Sequence, residues 1–96
     1  MLGVSEKELK IIESIIKPFK DNYNFYVYGS RVKGDFRQLS DLDVMISGEK
    51  SADLNDIEIL KEGFDNSDLP YIVNIVDYFS LSERFYNIIK SDLIKL

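Results

Sequence analysis

Residues 41–47 read DLDVMIS, in which Asp41, Asp43 and Met45 alternate with Leu42, Val44 and Ile46. Strict alternation is the repeat of a β-strand, so this segment is expected to bury one row of side chains and present the other. The presented row carries two carboxylates at i and i+2, with Cα atoms about 6 to 7 Å apart on one face. Two such charges repel unless something lies between them. A divalent ion removes the conflict, and an all-oxygen pair suits Mg²⁺ or Mn²⁺, which keep waters and substrate phosphates as their other ligands.

The elements around this strand follow from their own patterns. Ser5 and Glu8 form a capping box, with Val4 and Leu9 at the staple positions. Leu9, Ile12, Ile16 and Phe19 then recur at helical spacing until Pro18 bends or ends the helix. NFYVYG, residues 24–29, is β-branched and aromatic and stops at Gly-Ser, which predicts a buried strand. Leu54, Ile57, Leu60 and Phe64 mark a second amphipathic helix, closed by the turn residues DNSDLP. YIVNIVDYF, residues 71–79, has little polar punctuation and reads as a central strand covered on both faces. Ser80 and Glu83 suggest a capping box for a last helix carrying Leu81, Phe85, Ile88 and Ile89, and DLIKL suggests a short edge strand. The expectation is a single α/β (α+β) domain over residues 1–96, a small mixed sheet with helices packed on it.

Composition narrows the chemistry. The chain has no cysteine and no histidine, which removes disulfides, thiolate metal sites, zinc-histidine centres and imidazole catalysis. What remains is carboxylates, hydroxyls, amides, Lys and Arg. A net charge of −5 argues against an extended nucleic-acid surface. No apolar run is long enough for a membrane span, and MLGVSEKELK lacks the order of a signal peptide, so a cytoplasmic location is expected.

Upstream of the paired aspartates, Gly29 and Ser30 close one strand and open toward Arg31. Backbone N–H groups at a helix start, with the Ser30 hydroxyl, form an anion site, and glycine lets the backbone approach a phosphate. Arg31, Lys33 and Arg37 add local positive charge. Gly29 and Gly34 match the outer spacing of a P-loop, but Asp35 and Phe36 stand where Lys and Ser/Thr are needed. An EF-hand fails as well, because Met45 occupies a ligand position. Phosphate donors on one side and metal-binding carboxylates on the other describe a site for a nucleoside triphosphate.

GSRVKGDFRQLSDLDVMI resembles the signature of the minimal nucleotidyltransferase domains of the DNA polymerase β-like superfamily. The resemblance implies nucleotide binding, with ATP the expected substrate, at Gly29, Ser30, Arg31 and Ser40. It implies catalysis and metal binding, Mg²⁺ or Mn²⁺, at Asp41 and Asp43. It implies transfer of a nucleoside monophosphate to a hydroxyl. In that family a third carboxylate stands on the later strand, where this chain has Asn74. Asn offers a carbonyl oxygen to a metal but has no charge and accepts no proton. Stand-alone members resemble the antitoxins of HEPN/MNT pairs, so a helical HEPN-type protein encoded nearby is the expected partner. Homo-oligomerisation is the other way to complete an acceptor site. Asn74 also leaves open a non-catalytic antitoxin that binds nucleotide or partner and neutralises by occlusion.

Overall fold

The computed structural model describes residues 2–96. Ser5 caps helix α1 (Glu6–Ile16): its hydroxyl accepts from the Glu8 N–H, and the Glu8 carboxylate accepts from the Ser5 N–H. This satisfies two donors that the first helical turn leaves without partners. Pro18 lies in the 3-10 turn Lys17–Phe19 that ends the helix. The chain then enters β1 (Asn24–Tyr28), passes a four-residue helix α2 (Ser30–Lys33) and a loop, and returns as β2 (Leu42–Ser47). Helix α3 (Leu54–Asp65) is capped by Asp53, which accepts from the N–H groups of Asn55 and Asp56. Strand β3 (Val73–Asp77), helix α4 (Glu83–Ile89) and strand β4 (Ile94–Lys95) complete the order.

The described strands form one mixed sheet in the order β3-β2-β1-β4. β1 pairs antiparallel with β2 and with β4, whereas β3 runs parallel to β2. Phe25, Val27, Leu42, Val44, Ile46 and Val73 face one side, where Ile12 and Ile16 of α1 and Leu60 and Phe64 of α3 complete the main core. Full burial of such side chains stabilises by about 1.5 to 3 kcal/mol each. On the other face Tyr28 and Met45 pack with Ile89 of α4, with Tyr26, Val76 and Tyr86 at the margin. Among the described residues no helix is long and apolar enough to cross a membrane.

Two expectations need correction. β3 is an edge strand, not a central one. Its apolar run reflects contact on both faces, with Val73 and Ile75 toward the main core and Val76 toward α4; cover on the faces does not require a neighbour on each edge. The last helix begins two residues later than its Ser80–Glu83 pattern suggests. Ser82 is the cap, accepting from the Phe85 N–H, while the Ser80 hydroxyl donates to the Asp77 carbonyl. Asp77 itself caps the intervening 3-10 turn and accepts from the Ala52 N–H, so it faces away from the paired aspartates.

Candidate active site

The site sits where β1 ends, β2 begins and β3 lies alongside. Gly29 follows β1 with φ +85°, a conformation that L side chains rarely adopt. A Cβ there would lie 2.6 Å from Asp43 Oδ2, so the absence of a side chain also lets the carboxylate approach the turn. The Gly29 carbonyl accepts from the N–H groups of Val32 and Lys33, which winds the chain immediately into α2. Gly34, at φ +90°, ends α2, and its N–H donates to the Ser30 carbonyl.

Arg31 has a different place from the one its sequence context suggests. Only 3% of it is exposed, and its guanidinium points inward. Nε donates to the Ser40 carbonyl at 3.0 Å, Nη1 to the Gly3 carbonyl at 2.6 Å and Nη2 to the Gln38 carbonyl at 2.9 Å. The guanidinium carbon lies 3.8 Å from the Tyr71 ring centre and 4.9 Å from that of Phe36. Five donors in a rigid fork suit such a cage of carbonyls, and the ring faces stabilise the charge that carbonyls alone leave unpaired. The assignment of Arg31 to the nucleotide is therefore corrected: its donors are spent on the loop that delivers Asp41 and on Gly3 ahead of α1. Ser40 is likewise a turn residue, its hydroxyl accepting from the Arg37 N–H and its own N–H donating to the Arg37 carbonyl. Lys33 lies 3.8 Å from Asp92 across the surface.

The paired acids converge as their spacing suggests. Asp43 lies directly beside Asn74 in the parallel β2–β3 register. The Asn74 amide nitrogen donates to Asp41 Oδ2 at 3.0 Å and to Asp43 Oδ1 at 3.1 Å. One side chain thus ties both carboxylates together. The structure brings Gly29, Asp41, Asp43 and Asn74 into one cluster, with Ser30 next to Gly29 at the start of α2. Among the described residues no third Asp or Glu joins the pair. The two carboxylates are hard oxygen donors that fit Mg²⁺ or Mn²⁺ alongside phosphate, whereas Asn74 turns its NH₂ toward them and adds no charge, so the site has one charge fewer than three acids provide.

Two buried tyrosines pack around these residues. Tyr28 lies opposite Asp43 on β1, and burial, followed by the nearby Asp43 charge, pushes its phenol pKa up. Its ring meets Phe85 of α4 edge to face at 6.0 Å. Tyr71, under Arg31, donates to Glu8 at 3.1 Å; burial first and that hydrogen bond second raise its pKa well above 10. Nothing local marks either tyrosine, since their neighbours come from distant elements. An open groove of about 440 Å³ runs beside Asp41, between Leu39 of the loop and Pro70 and Ile72 before β3.

A Gly-Ser turn packed against one of two carboxylates that Asn74 ties together, on a mixed α+β sheet, is the framework of a minimal nucleotidyltransferase. The chain belongs to the nucleotidyltransferase domain family, whose model matches residues 9–96. It is 38% identical over 89 residues to the "Probable protein adenylyltransferase MntA" of Haemophilus influenzae, covering 93% of this chain and 78% of that protein. A solved minimal nucleotidyltransferase is 26% identical with a TM-score of 0.75, covering 95% of this chain and 94% of the other. A toxin-antitoxin structure with AMP-PNP, 24% identical, shares the fold with a TM-score of 0.67 over 88% of this chain and 70% of that one.

Proposed function

We propose that this nucleotidyltransferase moves AMP from ATP, with Mg²⁺ or Mn²⁺, onto a hydroxyl of a helical HEPN-type toxin, and so acts as that toxin's antitoxin. The observation that carries the reading is the packing of Asp43 against the Gly29 turn, with Asp41 joined to it through Asn74. The protein adenylyltransferase name of the H. influenzae relative supports adenylyl transfer to a protein. The AMP-PNP bound in a toxin-antitoxin complex of the same fold supports both an adenine nucleotide and a toxin partner.

The turn holds phosphate through its N–H groups and the Ser30 hydroxyl, and Gly29 allows the approach. Asp41 and Asp43 would hold the cation, which neutralises the triphosphate and the charge that develops on it during transfer. The acceptor oxygen bonds to the α-phosphorus as the bond to the bridging oxygen of the β-phosphate breaks, and pyrophosphate leaves. The acceptor proton leaves to an oxygen of the paired carboxylates or to water, because Asn74 cannot take it and the chain has no histidine.

The test mixes the protein with ATP, Mg²⁺ and the protein encoded beside it, and reads intact mass. An AMP adduct on the neighbour is expected, with loss of the adduct in Asp41→Asn and Asp43→Asn. Asn74 favours one alternative, neutralisation by occlusion without transfer. No adduct from the natural chain, but one from Asn74→Asp, would establish that alternative. An adduct on this chain itself would point to a second copy as acceptor.

A further inference from the structure

The two edges of the sheet differ. β4 is two residues long and carries Lys95, and shortness and charge both discourage pairing with another chain. β3, at the opposite edge, is five residues long and contains no lysine, proline or glycine. Its one charge, Asp77, stands at the last position, where the Ala52 N–H holds the carboxylate. The register fixes which backbone groups face outward. Leu42 pairs with Val73, and the Leu42 N–H donates to the Ile72 carbonyl at 2.9 Å. A parallel ladder then turns the N–H and C=O groups of Ile72, Asn74 and Val76 toward β2, and those of Val73, Ile75 and Asp77 away from it. Among the described residues nothing bonds to the outward N–H groups or to the carbonyls of Val73 and Ile75, while the Asp77 carbonyl accepts from the Ser80 hydroxyl.

We propose that β3 pairs antiparallel with β3 of a second copy of this chain, about a two-fold axis at Ile75. Ile75 then exchanges both backbone bonds with the second copy's Ile75, and Val73 does so with the second copy's Asp77. Of the registers that set outward groups against outward groups, this one pairs the whole strand. Charge fits the axis, because each Asp77 meets a Val73 and never its own copy. The side chains fit as well. Ile72, Asn74, Val76 and Tyr78 alternate onto the face that carries Asp43, and the two-fold sets Ile72 beside the second copy's Tyr78. Both are apolar and exposed at the two ends of the strand, and each covers the other. An extended segment of a different protein would have to supply such a row from outside, whereas β3 carries its own complement. Ile72 also stands on the rim of the groove beside Asp41, so the second copy's Tyr78 closes part of that open side.

The experiment follows the purified chain by sedimentation velocity from about 2 to about 200 µM, the range in which a small interface becomes populated. Amide hydrogen exchange is read by NMR at both ends of that range. A dimer fraction that rises with concentration is expected, with exchange at Ile75 slowed roughly tenfold at the high end and exchange at Asn74 and Val76, bonded to β2, unchanged. Ile75→Pro deletes an N–H that points away from β2, a position where an edge strand tolerates proline, and should sediment as a monomer throughout. Ile72→Lys leaves the core untouched and should weaken dimerisation by about tenfold. A natural chain that stays monomeric across the range overturns the proposal. So does a dimer in which the Ile75 amide exchanges as fast as in the monomer, or one that Ile72→Lys and a folded Ile75→Pro leave unweakened. Protection of Ile75 that appears only when the protein encoded beside this chain is added assigns the edge to that protein and overturns pairing between copies.

Discussion

Replacing Arg31 separates a structural arginine from a phosphate ligand. Its guanidinium makes three short hydrogen bonds to the carbonyls of Gly3, Gln38 and Ser40, and lies against Tyr71 and Phe36. A hydrogen bond from a charged donor contributes roughly 1.5 to 3 kcal/mol. Three of them do not simply add, because Gln38 is exposed and its carbonyl recovers water when the arginine is gone. The stacked rings contribute about 1 to 2 kcal/mol more where the cation is desolvated. A net loss of about 3 to 4 kcal/mol follows for Arg31→Leu, in the range for breaking a buried polar network.

For a domain of this size each kcal/mol moves the melting temperature by about 4 to 8 °C, so Arg31→Leu should melt at least roughly 12 °C lower. Arg31→Lys keeps the charge but not the fork, and about half of the loss should remain. Thermal unfolding by circular dichroism gives the stability, and AMP-PNP affinity measured on the folded fraction gives the function. Affinity should fall only modestly, as the Asp41 loop loosens. An Arg31→Leu melting point within about 3 °C of the natural chain refutes the reasoning, and abolished nucleotide binding in that chain would make Arg31 a phosphate ligand after all.

Gly29→Ala places a Cβ 2.6 Å from Asp43 Oδ2 and forces a side chain to φ +85°. The backbone term alone costs about 1 to 2 kcal/mol, and displacement of Asp43 should abolish adduct formation, read by urea unfolding and intact mass respectively. Gly34→Ala has the same φ penalty but open space at Cβ, so it should lose stability and retain activity. The raised tyrosines make the fold alkali-sensitive. Tyr71 has a folded pKa above its ordinary value of 10.0, for burial and the Glu8 hydrogen bond favour the neutral phenol. That contribution is fully present below about pH 10 and is lost as the pH rises from there through the folded value. The urea midpoint should hold steady between about pH 8 and 9.5 and fall above about 10, with a shallower fall in Tyr71→Phe.

What could be read from the sequence was local. The Ser5 box, the Pro18 stop and the strand at residues 41–47 each depend on neighbours within a few positions, and each appears in the fold, although Met45, on the row expected to be presented, is buried against α4. The convergence of Asp41 and Asp43 follows from the same alternation. Arg31 escaped because its surroundings are assembled from Gly3, residues 36–40 and Tyr71, and a basic residue after Gly-Ser has the same local pattern whether it faces phosphate or the interior. The edge position of β3 escaped because apolar runs report cover on faces and say nothing of hydrogen bonding along edges. Asn74 was visible as a departure from a family pattern, but its hold on both acids exists only once β3 lies parallel to β2.

These residues share a physical logic. Arg31, Ser40 and Asn74 all looked like groups for a ligand, and each spends its polar capacity on the protein: on loop carbonyls, on a turn N–H, on the paired acids. A domain under 100 residues has little core from which to fix a loop, so polar side chains must do that work. What remains for ligands is small, namely the Gly29–Ser30 turn and the carboxylate oxygens that Asn74 leaves free. On the proposed function such a surface would hold a triphosphate with its cation, because phosphate recognition needs N–H groups and charge more than it needs walls. It does not suffice to enclose an acceptor. The groove beside Asp41 is open, and Leu39 and Ile72 on its rim are 66% and 63% exposed. On the proposed function, selectivity for the acceptor would come from the surface of the protein that carries the hydroxyl, with discrimination in the docking of two proteins and not in a pocket of this one.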